Sequence, residues 1–172
     1  MGLLEPHGRG RRPVRRDALT RAADPVFVVH SLAHAVAALT AAAEAGRAIV
    51  ILSAAEAGIY AGPGWWRGLV DGARATVPAA ASLALLDCGG DAGAAQGAIR
   101  AGIEAIVFTG RSDVAIRLAD IAGQRGSEIV TVRPAATLDL ADFFFAEHQE
   151  LHRRCREVLA QPPDSRDRMC WT

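Results

Sequence analysis

The chain has 172 residues, with 19 basic and 19 acidic side chains and no formal net charge. This length is enough for one domain with a substantial hydrophobic core, so no disulfide or metal is needed to hold it together. The neutral balance excludes the strongly basic surface of a nucleic-acid-binding domain, although residues 1–25 carry a local excess of arginine.

Every basic residue is an arginine, a usage that together with frequent Ala and Gly is typical of a GC-rich bacterial genome. Without a lysine amine, the chain cannot form a Schiff base, hold pyridoxal phosphate through a lysine, or build a P-loop. The sequence identifies no cofactor and predicts no metal site.

The three cysteines, Cys88, Cys155 and Cys170, are scattered and lack the short spacing of a redox or zinc motif. This odd, dispersed set indicates a reducing compartment. Residues 1–16 lack the apolar core of a secretory signal, and no apolar run approaches the ~20 residues of a membrane span. We therefore expect a cytoplasmic protein without a membrane partner.

Five short apolar runs organise the chain, and an Ala-rich stretch long enough for a helix follows each of them. The runs are residues 26–30, 48–52, 82–86, 105–108 and 128–132. Continuous Val, Ile and Leu are typical of parallel strands buried on both faces. The pattern predicts an α/β three-layer sandwich with a five-stranded parallel sheet, flavodoxin-like or Rossmann-like. An incomplete (β/α) barrel is the alternative.

This alternation predicts a single α/β domain over residues 26–160, between a flexible basic tail (1–25) and a loose C-terminal tail (161–172). The predicted helices cover about 32–45, 65–76, 92–101, 113–125 and 138–160, with N-caps at Ser31, Asp91 and Ser112. Residues 53–64 are predicted to form a long loop. The last helix carries three consecutive phenylalanines, Phe143 to Phe145.

In a parallel α/β sheet, ligands bind outside the carboxyl ends of the strands. Gly110, Arg111 and Ser112 join the fourth predicted strand to its helix at this edge. Free backbone N–H groups, the positive end of a helix dipole and a guanidinium would converge there, which predicts a site for a phosphate or carboxylate. A plain helix cap is the alternative, because Asp113 would partly repel an anion.

Two residues at the same edge are candidates for acid–base catalysis. His30 ends the first strand and Asp87 follows the third, where imidazole and carboxylate groups are well placed to transfer protons. Ser31 and Gly89 are predicted ligand contacts, Gly89 because a glycine backbone can approach a ligand closely. A structural histidine and an ordinary glycine turn are the alternatives.

The predicted loop before the second helix is rich in aromatic residues. Tyr60 and Trp65 could stack on a planar ligand or close over it as a lid, because long loops in compact domains are often functional. Aromatic packing against the following helix is the alternative.

Two functional hypotheses follow from these features. The first is a site at the carboxyl edge for a small anionic metabolite, phosphorylated or carboxylate, in an enzyme or a sensor. The second is a non-catalytic module that binds a partner or forms a homodimer through its Phe-rich last helix, because three consecutive phenylalanines cannot all face one core.

Overall fold

The computed structural model describes residues 24–161, so the predicted tails fall almost entirely outside the described range. The division into one domain and two tails stays a prediction. The strands are β1 (Val26–Val29), β2 (Ile49–Ser53), β3 (Ser82–Asp87), β4 (Ala105–Val107), β5 (Glu128–Val130) and β6 (Leu138–Asp139). The helices are α1 (Leu32–Ala45), α2 (Ala57–Tyr60), α3 (Gly62–Thr76), α4 (Ala92–Arg100), α5 (Ser112–Arg125) and α6 (His148–Ala160).

The six strands form one parallel sheet in the order β5-β4-β3-β2-β1-β6. The predicted α/β class with a parallel sheet is confirmed. The sheet has six strands instead of five, because the short strand β6 adds to the free edge of β1. No helix in the described range is long and apolar enough to cross a membrane.

Most of the helical packing lies on one face of the sheet. Each strand from β1 to β5 lies beside its successor, and right-handed crossovers that advance in one direction place their helices on the same face. Helices α1, α3, α4, α5 and α6 accordingly share one large hydrophobic cluster with strand residues such as Phe27, Ile51 and Leu86. The alternative incomplete (β/α) barrel has the same order of neighbouring strands.

A smaller hydrophobic cluster on the opposite face contains strand residues alone. Its buried members are Val26, Val28, Leu52, Leu85, Ala105 and Val107, none more than 9% exposed. The connection from β5 to β6 crosses the sheet in the reverse direction, so the right-handed rule places it over this face. The three-layer expectation fits, although the described residues that pack on this smaller cluster all belong to strands.

The β5–β6 connection has almost no slack. Six strands in a flat sheet span about 24 Å from the first to the last. Extended chain from Val130 to Leu138 reaches at most roughly 26–29 Å, and it must also return toward the amino ends of the strands. The connection ends where Thr137 and Val26 exchange hydrogen bonds, with Thr137 N donating to the Val26 carbonyl and Val26 N to Thr137 Oγ1.

The predicted start of the last helix is wrong. Residues 138–139 form β6, a 3-10 turn covers Ala141–Phe143, and α6 begins only at His148. Asp139 Oδ1 accepts a hydrogen bond from the Ala141 N–H at 2.9 Å, a local turn that ends the strand and competes with helix formation.

The three phenylalanines consequently lie in a turn before α6. Phe143 packs against the larger cluster, whereas Phe144 is 50% and Phe145 96% exposed. The sequence correctly implied that they cannot share one core, but the helix assigned to them is wrong.

The predicted loop over residues 53–64 is mostly helical. It contains α2, and α3 begins at Gly62, earlier than predicted, with Pro63 in its first turn, where the missing proline N–H costs no helical hydrogen bond.

The predicted helix caps are confirmed at two of three positions. Ser31 Oγ accepts from His34 N at 3.2 Å and Asp91 Oδ1 from Ala94 N at 2.6 Å. Ser112 is the first helical residue of α5 and not its cap. Arg111 takes the cap position without a side-chain hydrogen bond, so the first turn of α5 has no side-chain cap.

We expect Gly58→Ala to lower the free energy of unfolding by about 1–3 kcal/mol, because α2 packs directly on the turn after β3. An added Cβ would collide with Cys88 Sγ and lie 3.0 Å from the Asp87 carbonyl oxygen. Gly97→Ala in α4 is the matched control, since its Cβ meets no atom within 4 Å and should raise stability by up to about 1 kcal/mol. Urea denaturation of both variants tests this, and equal effects would contradict the packing.

Candidate functional site

The carboxyl ends of the central strands are level with one another. Continuing the register of β1, β2 and β3 by one residue places His30 and Asp87 at the same height, separated by two strand spacings or about 10 Å. By strand alternation, Asp87 falls on the face that carries Leu85 and the smaller cluster. The β5–β6 connection runs over this face.

Asp87 is buried and fully engaged. Its Oδ1 accepts hydrogen bonds from the backbone N–H groups of Glu56 at 3.1 Å and Gly89 at 2.7 Å, and its Oδ2 pairs with the Arg133 guanidinium. Arg133 also donates to the Ser53 carbonyl at 3.0 Å. The Asp87 side chain is 4% exposed and that of Arg133 28%, so this pair joins the β5–β6 connection to the ends of β2 and β3.

His30 makes a second pair with a residue from β6. His30 Nε2 and Asp139 Oδ1 lie 2.7 Å apart. Burial opposes ionisation of Asp139, but the Ala141 N–H, the hydrogen bond and charge of His30 and the charge of Arg133 outweigh it, so the pKa of Asp139 is below its ordinary value. Asp139 is therefore a carboxylate near neutral pH.

These four side chains form one group, which we call the carboxyl-edge cluster: His30, Asp87, Arg133 and Asp139. The electrostatic effect of Arg133 on Asp139 couples the two pairs. His30 and Asp87 were predicted as catalytic residues from the sequence. Arg133 was expected at this edge as the end of the last predicted strand but was given no role, and Asp139 was not expected there. Arg133 directly follows the last predicted strand, which was a usable signal. Asp139 was hidden by the incorrect helix assignment.

The turn that supports Asp87 has an unusual backbone. Glu56 is the one described non-glycine residue with positive φ, at 59°, and its N–H bonds to Asp87. Gly89 has φ of 52°, and a Cβ there would lie 2.9 Å from the Glu56 side chain, so only glycine fits without rearrangement. Strained backbone is often concentrated at functional sites.

The predicted anion-binding segment lies after β4 and touches none of the carboxyl-edge cluster through a described hydrogen bond or ion pair. Arg111 is 81% exposed on its side chain and bonds to Asp113 at 3.0 and 3.1 Å. At Gly110 a side chain would collide with the Phe108 ring and lie 3.0 Å from the Gly90 carbonyl oxygen. The turns after β3 and β4 are therefore in close backbone contact.

The remaining predicted residues take different positions. Ser31 caps α1, so its hydroxyl is engaged in that cap. Two aromatic side chains lie on the surface: Tyr60 of α2, which is 68% exposed, and Trp65 of α3, which is 39% exposed. The centroid of the Trp65 ring lies 6.0 Å from that of Trp66.

His34 is buried behind His30. Its Nδ1 accepts the His30 backbone N–H at 3.3 Å, and its ring meets the His30 and Phe144 rings edge-on. Its Nε2 has no hydrogen bond of normal geometry, although the Phe143 carbonyl lies near enough to favour the protonated ring slightly. Burial, and next the neighbouring His30, lower the pKa of His34 below 6.5, so the ring is held neutral.

The geometry of the described residues supports neither a nucleophilic Cys88 nor a metal site. Burial, with Asp87 and Asp91 nearby, raises the pKa of Cys88 to about 12, so its thiol is not a nucleophile at neutral pH. Within residues 24–161, no group of three His, Cys, Asp or Glu side chains could hold a metal ion.

The surface depressions lie elsewhere. One of about 420 Å³ is lined by residues 146–153 at the start of α6, and one of about 290 Å³ lies between α4 and α5. Neither is lined by a predicted site residue.

We expect Arg133→Ala to lower the free energy of unfolding by about 2–3 kcal/mol, because it leaves the buried Asp87 carboxylate without its charged partner. Arg111→Ala is the matched control, since its pair with Asp113 is exposed and should contribute less than about 0.5 kcal/mol. Adding Asp87→Asn to Arg133→Ala should recover part of the loss. Equal destabilisation by the two arginine variants in urea denaturation would contradict this assignment.

Because the folded protein depresses the pKa of His34, the unfolded chain binds a proton more readily, and stability should fall as the pH drops below about 6.5. His34→Gln should be less stable at neutral pH but should lose much of this dependence. The control is His152→Gln, which leaves His34 in place. Melting temperatures measured above about pH 5 keep the carboxylates ionised, and an unchanged slope in His34→Gln would refute the prediction.

Comparison with known proteins gives only structural neighbours. No protein-family model and no curated protein matches the sequence. A solved structure from Coccidioides immitis, assigned as a fructose-1,6-biphosphate aldolase, has a TM-score of 0.50 and 21% identity over 62% of this chain and 40% of that chain. One from Sinorhizobium meliloti 1021, assigned as a tagatose 6 phosphate kinase, has a TM-score of 0.47 and 14% identity over 80% and 45%. The chain thus spans less than half the length of each, and the aldolase likeness shows an α/β fold alone.

Proposed function

We propose that the chain binds a small anionic metabolite, phosphorylated or carboxylate, at the carboxyl edge of its sheet, as an enzyme or a sensor. The observation that carries the proposal is the row of polar groups along this edge. It begins at the uncapped start of α5, passes the Asp87–Arg133 pair and ends at His30 and Asp139. Edges of this kind are where parallel α/β proteins hold their ligands.

The anionic group of the ligand binds at the start of α5. The first turn of α5 has no side-chain cap, unlike α1 and α4, so its backbone N–H groups and helix dipole are available to an anion. Arg111 flanks this turn, directly after Gly110. Asp113 competes for Arg111, so binding requires the guanidinium to turn from Asp113 to the ligand.

The rest of the ligand extends toward the carboxyl-edge cluster. From β4 to β1 there are three strand spacings, or about 14 Å, with Asp87 between them. The cluster holds two carboxylates against one guanidinium and one imidazole, so it suits hydroxyl or carbonyl groups better than a second anion. In this arrangement His30 serves the reacting end, and Ser31 and Gly89 border it. Asp87, whose two oxygens are already bound, holds Arg133 and the neighbouring turns in place beneath the ligand.

The aromatic side chains of Tyr60 and Trp65 cover the ligand from α2 and α3. Both are exposed in the described structure, as a lid must be before it closes. Fructose-1,6-bisphosphate is a suitable first organic probe, because one structural neighbour is named after it and it joins anionic and hydroxyl groups.

We expect inorganic phosphate to raise the melting temperature of the protein, since a ligand that binds only the folded state stabilises it by about 2.7 kcal/mol at a hundred times its dissociation constant. Arg111→Ala should abolish this rise while changing the stability of the free protein by less than about 1 kcal/mol. Arg125→Ala is the matched control, because it removes the same charge from the other end of α5.

Equal phosphate stabilisation of the wild type, Arg111→Ala and Arg125→Ala would show that the anion binds elsewhere. Stabilisation by chloride at the same ionic strength would reduce the effect to salt screening. Either result would refute the proposed anion site.

A further inference from the structure

We infer that Asp139 is the positioning residue of a proton-transfer pair, and that it orients His30 so that the Nδ1 atom of His30 exchanges a proton with the bound ligand. This inference rests on the proposed function, because it assigns a role toward the ligand of that site. It adds a reaction class, reversible proton transfer to or from an O–H or acidic C–H group.

The geometry assigns different tasks to the two nitrogens of His30. Nε2 is held by Asp139 Oδ1 at 2.7 Å, whereas no described hydrogen bond engages Nδ1. In a neutral imidazole one nitrogen carries the proton and the other accepts. If Nε2 of His30 donates to Asp139, Nδ1 is therefore unprotonated and can accept a proton. The His30 side chain is 21% exposed and follows β1 at the carboxyl edge, where the proposed ligand lies.

The surroundings hold His30 in place without occupying Nδ1. The His30 backbone N–H donates to His34 Nδ1. The two rings meet edge-on, with their centroids 6.0 Å apart. Asp139 is fixed in turn by the Ala141 N–H and by the pairing of β6 with β1. A carboxylate that is itself hydrogen-bonded and orients an imidazole is a common arrangement in acid–base catalysis.

The proton transfer balances without a further reactant. His30 Nδ1 takes a proton from the ligand, whose bonding electrons remain on its oxygen or carbon, and the ring becomes an imidazolium. Asp139 stabilises that positive charge and stays ionised. The reverse transfer returns the proton to the same or a neighbouring ligand atom.

The pair His152–Glu44, between α6 and α1, provides an internal reference. Its Nε2–Oε2 distance is 3.0 Å and its side chains are 22% and 49% exposed, close to the 21% and 51% of His30 and Asp139. It lies away from the carboxyl edge, so changes at Asp139 should not affect it.

The test measures how fast diethyl pyrocarbonate acylates each histidine. The reaction is run at about pH 8, where free imidazole is neutral, and peptide mass spectrometry gives the rate for each residue. Asp139→Asn keeps an acceptor for His30 Nε2 but removes the negative charge that stabilises the positive charge the ring gains while Nδ1 attacks the reagent. Acylation of His30 should therefore slow about tenfold, which corresponds to a barrier raised by ~1.4 kcal/mol, and Asp139→Glu should restore part of the rate. The rate of His152 should be the same in all three proteins.

A purely structural tie between β1 and β6 predicts the opposite sign, because loosening it exposes His30 and speeds its acylation. Faster or unchanged acylation of His30 in Asp139→Asn would overturn the inference. If Asp139→Asn does not fold, nitrogen-15 NMR of the wild type provides an independent test, because it shows which His30 nitrogen carries the proton. A proton on Nε2 supports the inference, and a proton on Nδ1 overturns it.

Phosphate stabilisation measured on the same variants separates the two proposals. Asp139→Asn should retain it, since the anion site lies after β4. If phosphate does not raise the melting temperature of the wild type, the proposed function is refuted, while the acylation rates of His30 can still be compared. An unchanged His30 rate beside normal phosphate stabilisation would refute only the proton-transfer pair.

Discussion

The β5–β6 connection is the constraint on which the rest of the structure depends. A sixth parallel strand at the far edge forces an extended segment to cross the whole sheet with little slack. That segment lies over the face that the helices leave uncovered, where the smaller cluster is buried. It also brings Arg133 and Asp139 to the carboxyl ends of the strands. One topological step therefore assembles half of the carboxyl-edge cluster.

The two arginine–aspartate pairs at this edge show how burial divides structural from binding roles. Arg133 and Asp87 are largely withdrawn from solvent, and backbone N–H groups bind the same carboxylate, so separating them leaves an uncompensated buried charge. Arg111 and Asp113 are exposed, and water replaces their contact at little cost. The first pair suits a fixed framework, whereas the second can open for a ligand.

A neutral histidine behind a paired one gives the edge a defined protonation pattern. Burial keeps His34 uncharged, which spares His30 a neighbouring positive charge, while Asp139 remains ionised beside it. The same arrangement ties the turn of Phe143 and Phe144 to α1, because the Phe144 ring packs on His34. Acidification would therefore act on the fold and on the site through one residue.

The sequence by itself determined the α/β class, the parallel sheet, the caps at Ser31 and Asp91, and the placement of His30 and Asp87 near its carboxyl edge. These follow from local periodicity, from capping chemistry and from the rule that parallel strands end together. Only the tertiary structure decided that residues 138–139 form a strand, because two residues carry no periodic signal and gain their hydrogen bonds from β1. The partners of His30 and Asp87 lie 109 and 46 residues away in the chain, beyond the reach of local sequence patterns.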